Sequence, residues 1–248
     1  MKNIICSVII ASILVMPLVC TASGNLTIEQ IDGQWVRKKY LDSLRSTRSQ
    51  FSEQPENVSI SAKNNRLNWT TYHESSWRRI LRIEPSANAY VLVVGQWEVE
   101  SPAPSETLHV PFKPAINHEG KITSIEFLDN SLVSSKREPF IRLAVSLKEY
   151  ANELLLVGQY VDQKGKRYSF SKEGVASWPD RSFLYELPLD SSEAGCDYFQ
   201  TDDPKEPGNW KRYGFKWKGD RLYLFTITYD RDTPIACEDH SFVSLVRR

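Results

Sequence analysis

Three of the four histidines in the sequence stand beside carboxylates, in the pairs His73-Glu74, His118-Glu119 and Asp239-His240. A histidine and a carboxylate can act together as a general acid and base, or they can bind a metal ion. Neighbouring residues on a strand point to opposite faces, so adjacency in the sequence does not by itself make a catalytic pair. We keep His73, Glu74, Asp239 and His240 as weak catalytic candidates, and we favour a hydrogen-bonded structural role for His73.

Signature motifs of well-known enzyme mechanisms are absent from the sequence. It contains no G-x-S-x-G nucleophile elbow, no P-loop, no G-x-G-x-x-G dinucleotide motif and no C-x-x-C pair. We therefore predict neither a metal site nor a cofactor, and we favour a non-catalytic protein over an enzyme.

Tryptophan is the other informative residue type, because the chain has seven and most of them lie on or beside predicted strands. Inside a barrel, tryptophan rings can stack on a ligand ring, and an inward arginine can recognise a carboxylate or a phosphate. The candidate ligand-binding residues are Trp69, His73, Trp97 and Arg212. The alternative, that these tryptophans only pack in the core, stays open.

The stretch from Trp210 to Tyr229 predicts a β-hairpin with Gly219-Asp220 as its two-residue turn. This register places Lys218 opposite Arg221, a like-charge contact that leaves a three-residue turn as the alternative. The second strand is apolar on both faces, which indicates a closed or sandwiched sheet. The predicted pairs are Trp217 with Leu222, Phe215 with Leu224 and Tyr213 with Thr226.

A helical pattern opens the chain after residue 24. Thr27 and Gln30 fit a capping box, and residues 34–46 carry apolar side chains at helical spacing, which predicts an amphipathic helix. Between these two features, Gly33-Gln34-Trp35 resembles the G-x-W start of the lipocalin or wider calycin group. The resemblance implies an up-and-down β-barrel that holds a small, mostly apolar ligand. In lipocalins G-x-W begins the first strand, whereas here it leads into a predicted helix.

Roughly twelve or thirteen short strands, with turn signals between most of them, indicate a mainly β fold. We expect a single antiparallel β-barrel of calycin-like character, or a sandwich of ten or more strands, with one N-terminal amphipathic helix. Residues 25–248 are predicted to form one β-rich domain, because no Gly/Ser/Pro-rich linker divides them and no internal repeat is convincing.

Residues 1–24 have the pattern of a secretory signal peptide, with one lysine, an apolar stretch and small residues at its end. Lipidation at Cys20 is the less favoured alternative, because Val19 stands where a small residue is needed. The short leader suits the bacterial periplasm, and the chain otherwise resembles an exported bacterial protein. Removal of the leader leaves Cys196 and Cys237, a pair that predicts a disulfide in an exported chain.

Basic and acidic residues are equal in number, 31 each, so no basic excess points to nucleic acid. No stretch after residue 24 is long and apolar enough to span a membrane. We therefore predict an exported β-barrel protein, periplasmic or secreted, that binds a small, partly apolar or aromatic ligand without catalysis. The alternatives are a structural or interaction protein of the cell envelope, with an envelope protein as its partner, and an enzyme with a histidine–carboxylate site.

Overall fold

A computed structural model shows a mainly β chain in which two antiparallel barrels follow each other along the sequence. The structure describes residues 25–70, 75–96, 106–130, 133, 137–189, 196–203, 206–230, 233–237 and 240–248. Four of the candidate site residues lie outside the described residues: His73, Glu74, Trp97 and Asp239.

The first barrel is a closed ring of eight strands in sequence order, and its last strand pairs with its first. Buried and partly exposed side chains alternate along its strands, so that the buried ones fill the interior, as Val58 and Ile60 do. Its strands are β1 (Gly33–Arg37), β2 (Asn57–Ser61), β3 (Arg66–Thr70), β4 (Ser75–Ser86), β5 (Ala89–Gln96), β6 (Glu106–Ile116), β7 (Ile122–Phe127) and β8 (Pro139–Leu143).

The second barrel is also a ring of eight antiparallel strands, with a ninth strand, β16, paired to the C-terminal part of β15. The ring runs in order from β9 to β15, and β17 closes it between β15 and β9. Its strands are β9 (Gly158–Asp162), β10 (Arg167–Phe170), β11 (Val175–Trp178), β12 (Arg181–Glu186), β13 (Tyr198–Asp203), β14 (Glu206–Lys218), β15 (Arg221–Asp230), β16 (Thr233–Cys237) and β17 (Val243–Arg247).

The mainly β class and the antiparallel barrel architecture predicted from the sequence are confirmed. The strands divide between two barrels instead of closing one, and each barrel has its own apolar core. The physical reason is size: a ring of eight strands encloses an interior that side chains can fill, whereas a ring of twice that number would enclose a wide lumen. The inward-facing residues of this chain are apolar, so they are buried only where side chains fill the interior of the barrel.

The predicted hairpin is present as β14 and β15, and its register is confirmed. Gly219 has a φ of 60° in the two-residue turn, a conformation that glycine adopts without strain. Lys218 does face Arg221, and the pairing tolerates this contact because both side chains lie at the solvent-exposed turn. The paired residues are Trp217 with Leu222, Phe215 with Leu224 and Tyr213 with Thr226.

Three helices accompany the described strands: α1 (Ile28–Ile31), α2 (Lys38–Thr47) and α3 (Leu147–Leu155). α1 begins with the predicted capping box, in which the backbone N–H of Thr27 donates to Gln30 Oε1 at 2.9 Å. The amphipathic helix predicted over 34–46 begins later, at Lys38, because Gly33–Arg37 is strand β1. Trp35 and Val36 are both fully buried, on opposite faces of that strand, one in each core.

α2 and the residues after it fasten the first barrel to the second. The buried apolar side chains of α2 belong to the core of the second barrel, and Asp197 Oδ1 accepts hydrogen bonds from Ser49 Oγ at 2.8 Å and from the backbone N–H of Gln50 at 2.7 Å. The predicted disulfide between Cys196 and Cys237 is present beside this contact. The single domain over 25–248 stays a prediction. Among the helices described, none has the length and apolar character needed to cross a membrane.

Candidate functional site

The base of the first barrel is closed by contacts around Gly33-Gln34-Trp35, which begins β1. Trp35 is fully buried, and its indole N–H donates to the Ile31 backbone oxygen at 2.8 Å. The guanidinium of Arg142, on β8, lies 5.6 Å from the Trp35 ring centroid and donates to the Asp32 backbone oxygen. Gly33 has a φ of 128°, and a Cβ there would lie 3.0 Å from Arg142 Nε, so glycine is required.

The base of the second barrel repeats this arrangement around Gly158-Gln159-Tyr160, which begins β9. Tyr160 is buried, and its hydroxyl donates to the Leu156 backbone oxygen at 2.6 Å. Arg247, on the last strand, donates to the Val157 backbone oxygen at 2.7 Å, and a Cβ on Gly158 would lie 3.0 Å from Arg247 Nε. The two barrels are therefore an internal structural repeat, and we call this shared arrangement the base clamp.

Helix α3 covers the same end of the second barrel. The indole N–H of Trp217 donates to the Leu155 backbone oxygen at 2.9 Å, and the Tyr185 hydroxyl donates to Asn152 Oδ1 at 2.6 Å. With this end covered by a helix, a ligand can approach the barrel axis only from the opposite end. That end is formed by the ends of β9, β11, β13 and β15 and by the starts of β10, β12, β14 and β17.

Aromatic side chains from three strands and from the residue before β17 converge at this opposite end. Trp178 is central: its ring centroid lies 6.0 Å from Tyr168, 5.1 Å from Tyr213 and 5.9 Å from Phe242. Phe242 is 48% exposed, so its ring is presented to solvent. We define the aromatic mouth by five residues: Tyr168, Trp178, Arg181, Tyr213 and Phe242.

Arg181 is held over these rings by its local structure. It pairs with Trp178 across the two-residue turn Pro179-Asp180, which places both side chains at the rim. Its Cζ lies 5.1 Å from the Trp178 centroid, 5.4 Å from that of Phe183 and 5.9 Å from that of Tyr213. Its Nη2 also donates to the Tyr213 hydroxyl at 2.8 Å. The guanidinium is therefore fixed by cation–π contacts and a hydrogen bond.

The aromatic mouth lines an open pocket of about 460 Å³. That volume lies within the range of about 300–1,000 Å³ typical of small-molecule sites. Partial burial raises the pKa of the Tyr168 hydroxyl, and the carboxylates of Asp162 and Asp180 add to this shift. Trp178 Nε1 is buried and has no hydrogen-bond partner within the described part of the chain. The site therefore contains a buried donor without an acceptor. Such a donor lowers the free energy of unfolding by about 1–3 kcal/mol.

A second cleft, of about 400 Å³, lies between the barrels beside the N-terminus of α3. Several of its polar groups pair with one another: the Leu147 N–H donates to Gln34 Oε1 at 2.6 Å, and Lys148 forms an ion pair with Glu186. These pairs join the two barrels, so we assign this cleft to their junction.

Of the four residues predicted from the sequence to bind a ligand, the structure describes Trp69 and Arg212, and these two lie in different barrels. Trp69 is half-buried against the core of the first barrel, whereas Arg212 belongs to the second barrel, with its guanidinium 5.2 Å from the Tyr198 ring. His240 is exposed. Sequence reasoning missed Trp178 and Arg181, although a turn of the form Trp-Pro-Asp-Arg does predict that its first and last residues pair.

The geometry of the described residues defines a protein with two eight-stranded up-and-down barrels in tandem, each closed at its base, and with an aromatic mouth on the second barrel. Comparison of the chain with protein-family models, with curated proteins and with solved structures gave no match. Among the residues that the structure describes, no group of three or more His, Cys, Asp or Glu side chains is arranged to hold a metal ion. We therefore base the proposal for the function on the aromatic mouth.

Proposed function

We propose that this chain is an exported protein of the bacterial periplasm that binds a small, partly aromatic ligand without catalysing a reaction. The single observation that supports the proposal most strongly is the aromatic mouth, where four aromatic rings and a fixed guanidinium line an open pocket. Pockets that bind small molecules are mostly apolar, with a small number of polar groups that orient the ligand.

The packing of the barrels supports a site at the rim instead of in the interior. In the second barrel, Phe170, Phe199 and Phe215 are almost fully buried and in contact within one apolar cluster. Interiors packed in this way leave no room for a ligand beside them. At the rim, by contrast, the exposed ring of Phe242 gives a ligand ring a partner, and each aromatic pair contributes about 0.5–1.5 kcal/mol beyond area burial.

The calycin-like character of the protein belongs to the same proposal. It is supported by the up-and-down order of the eight strands in each barrel and by the position of Gly33-Gln34-Trp35 at the start of β1. Export is supported by the leader pattern in residues 1–24 and by the Cys196–Cys237 disulfide, since disulfides persist in oxidising compartments.

The test is the binding of the neutral fluorescent probe N-phenyl-1-naphthylamine to the purified protein. We expect saturable fluorescence enhancement with the unaltered protein. The substitution Phe242→Ser is expected to lower the affinity for the probe at least threefold, because the exposed ring at the mouth is removed. Leu184→Ser is the matched control, because Leu184 is also a large exposed apolar residue, at 65%, on an outward position of β12. Equal binding by both variants, or no saturable binding by the unaltered protein, would refute the proposal.

A further inference from the structure

We infer that the ligand of the aromatic mouth carries a carboxylate that pairs with Arg181, an inference that rests on the binding function proposed above. The chemical class is thus an aromatic or partly aromatic acid. Arginine recognises carboxylates through parallel N–H donors in a planar fork, which gives geometric specificity as well as affinity.

The guanidinium of Arg181 has N–H donors that remain available for a ligand. One of its N–H groups is used by the Tyr213 hydroxyl, and no carboxylate among the described residues lies within ion-pair distance of its guanidinium. Two exposed lysines elsewhere in the chain do have carboxylate partners: Lys148 of α3 pairs with Glu186, and Lys172 pairs with Glu153. Arg181 is therefore a fixed cation that lines the pocket and keeps N–H donors available for a ligand.

The position of Arg181 favours an anion. The lining of the pocket contains two basic residues, Lys166 and Arg181, and one acidic residue, Asp180, and the carboxylate of Asp162 also acts on Tyr168. The guanidinium already lies over the rings of Trp178 and Tyr213. A cationic ligand would meet like charge and would have to displace Arg181 from those rings, whereas an anionic ligand gains from both features.

The apolar part of such a ligand also has a defined place. Trp178, Tyr213 and Phe242 lie within 6.1 Å of one another, centroid to centroid, on the side of the pocket next to Arg181. A ring stacked on Phe242 would hold its carboxylate within reach of the guanidinium. The rings supply the general affinity for planar apolar compounds, and Arg181 supplies the selection of acids among them.

The experiment compares 2-naphthoate with 2-naphthamide, which share one ring system and differ in charge. Each compound displaces N-phenyl-1-naphthylamine from the full chain at neutral pH and low salt. We expect 2-naphthoate to compete at a concentration about tenfold lower than 2-naphthamide, because a charge-assisted bidentate contact is added. The preference is expected to weaken at high salt, since the site is open to solvent.

Three variants separate the contribution of Arg181 from a general change of the surface. Arg181→Gln is expected to abolish the preference for the acid, and Arg181→Lys to retain part of it, because the charge remains but the planar fork is lost. Arg45→Gln is the matched control: Arg45 also lies over a tyrosine ring, 5.6 Å from the Tyr150 centroid, and donates to its hydroxyl at 2.6 Å, but it is on α2.

The outcomes distinguish the two proposals. If the probe binds but the acid and the amide compete equally, or neither competes, the carboxylate assignment is overturned and the binding function remains. If the preference survives in Arg181→Gln, the assignment to Arg181 is overturned. If the probe itself does not bind, both proposals fail.

Discussion

Substitution of Asp197 by asparagine tests how the chain after α2 is held against the second barrel. Asp197 Oδ1 accepts hydrogen bonds from Ser49 Oγ and from the backbone N–H groups of Gln50 and Phe51, at 2.8, 2.7 and 3.3 Å. Burial raises the pKa of this carboxyl to about 6, although these hydrogen bonds and the charge of Lys216 oppose the shift. In the unfolded chain its pKa is about 3.9.

The sign of the effect follows from these two pKa values. The folded chain holds the Asp197 proton more tightly than the unfolded chain, so this group stabilises the fold at low pH. The contribution is lost as the pH rises through the folded pKa of about 6. Between about pH 4 and about pH 7 the loss amounts to about 2 kcal/mol, since one unit of pKa difference corresponds to about 1.4 kcal/mol.

Asparagine keeps an oxygen acceptor at the position of Oδ1 but does not titrate. We therefore expect the free energy of unfolding of the unaltered protein, minus that of Asp197→Asn, to fall by about 2 kcal/mol between about pH 4 and about pH 7. The assay is urea unfolding followed by tryptophan fluorescence at several pH values, with the disulfide intact. The subtraction removes other titrating groups, among them Glu53, whose pKa is lowered by its hydrogen bond to Lys39. A difference that stays constant with pH, or that rises, would refute the reasoning.

Two further predictions concern the second barrel. Tyr160→Phe is expected to lower the free energy of unfolding by about 1–3 kcal/mol, because the buried Leu156 oxygen loses its donor. Tyr223→Phe is the control, because Tyr223 is only half-buried, and it should change the midpoint of urea unfolding little. Gly214→Ala is expected to cost more stability in the oxidised than in the reduced protein, because the added Cβ would overlap Cys237 Sγ. Equal losses in the two redox states, measured by thermal unfolding, would contradict the second prediction.

Local pairing was predictable from the sequence, and barrel closure was not. The Gly219-Asp220 turn fixes the register of the hairpin, because a two-residue turn allows one pairing of its flanking strands. Closure depends on strands far apart in the sequence, such as β1 with β8 through Gln34 and Leu143. Alternation of apolar residues identifies strands but does not say which distant strand each one pairs with, so the division into two barrels was not predicted.

The boundary between β1 and α2 shows why the helix was predicted too early. The apolar residues from Trp35 to Leu44 fit a helical period, and the pattern does hold from Tyr40 onwards, where Leu41 and Leu44 are also buried. Trp35 and Val36, however, are neighbours that are both fully buried. Adjacent buried residues on a strand require a core on each side, and only the fold supplies the second core.

The candidate site was missed for a related reason. Its members come from β10, β11, β12, β14 and the residue before β17, so no short motif contains them. The sequence indicated that aromatic residues and an arginine would matter, but it did not indicate which of the seven tryptophans lies at a rim. Trp69 packs against the core of the first barrel, whereas Trp178 sits beside the open pocket.

The internal repeat separates what the fold requires from what is particular to the second barrel. Both barrels keep the base clamp, with a buried aromatic donor after Gly33 or Gly158 and an arginine on the last strand. At the turn between the third and fourth strands of each ring they differ: the first barrel pairs Thr70 with Ser75, and the second pairs Trp178 with Arg181. Since the first barrel closes without a tryptophan and an arginine at this place, barrel closure does not require them. Their presence in the second barrel is therefore better explained by a ligand at the aromatic mouth than by the architecture.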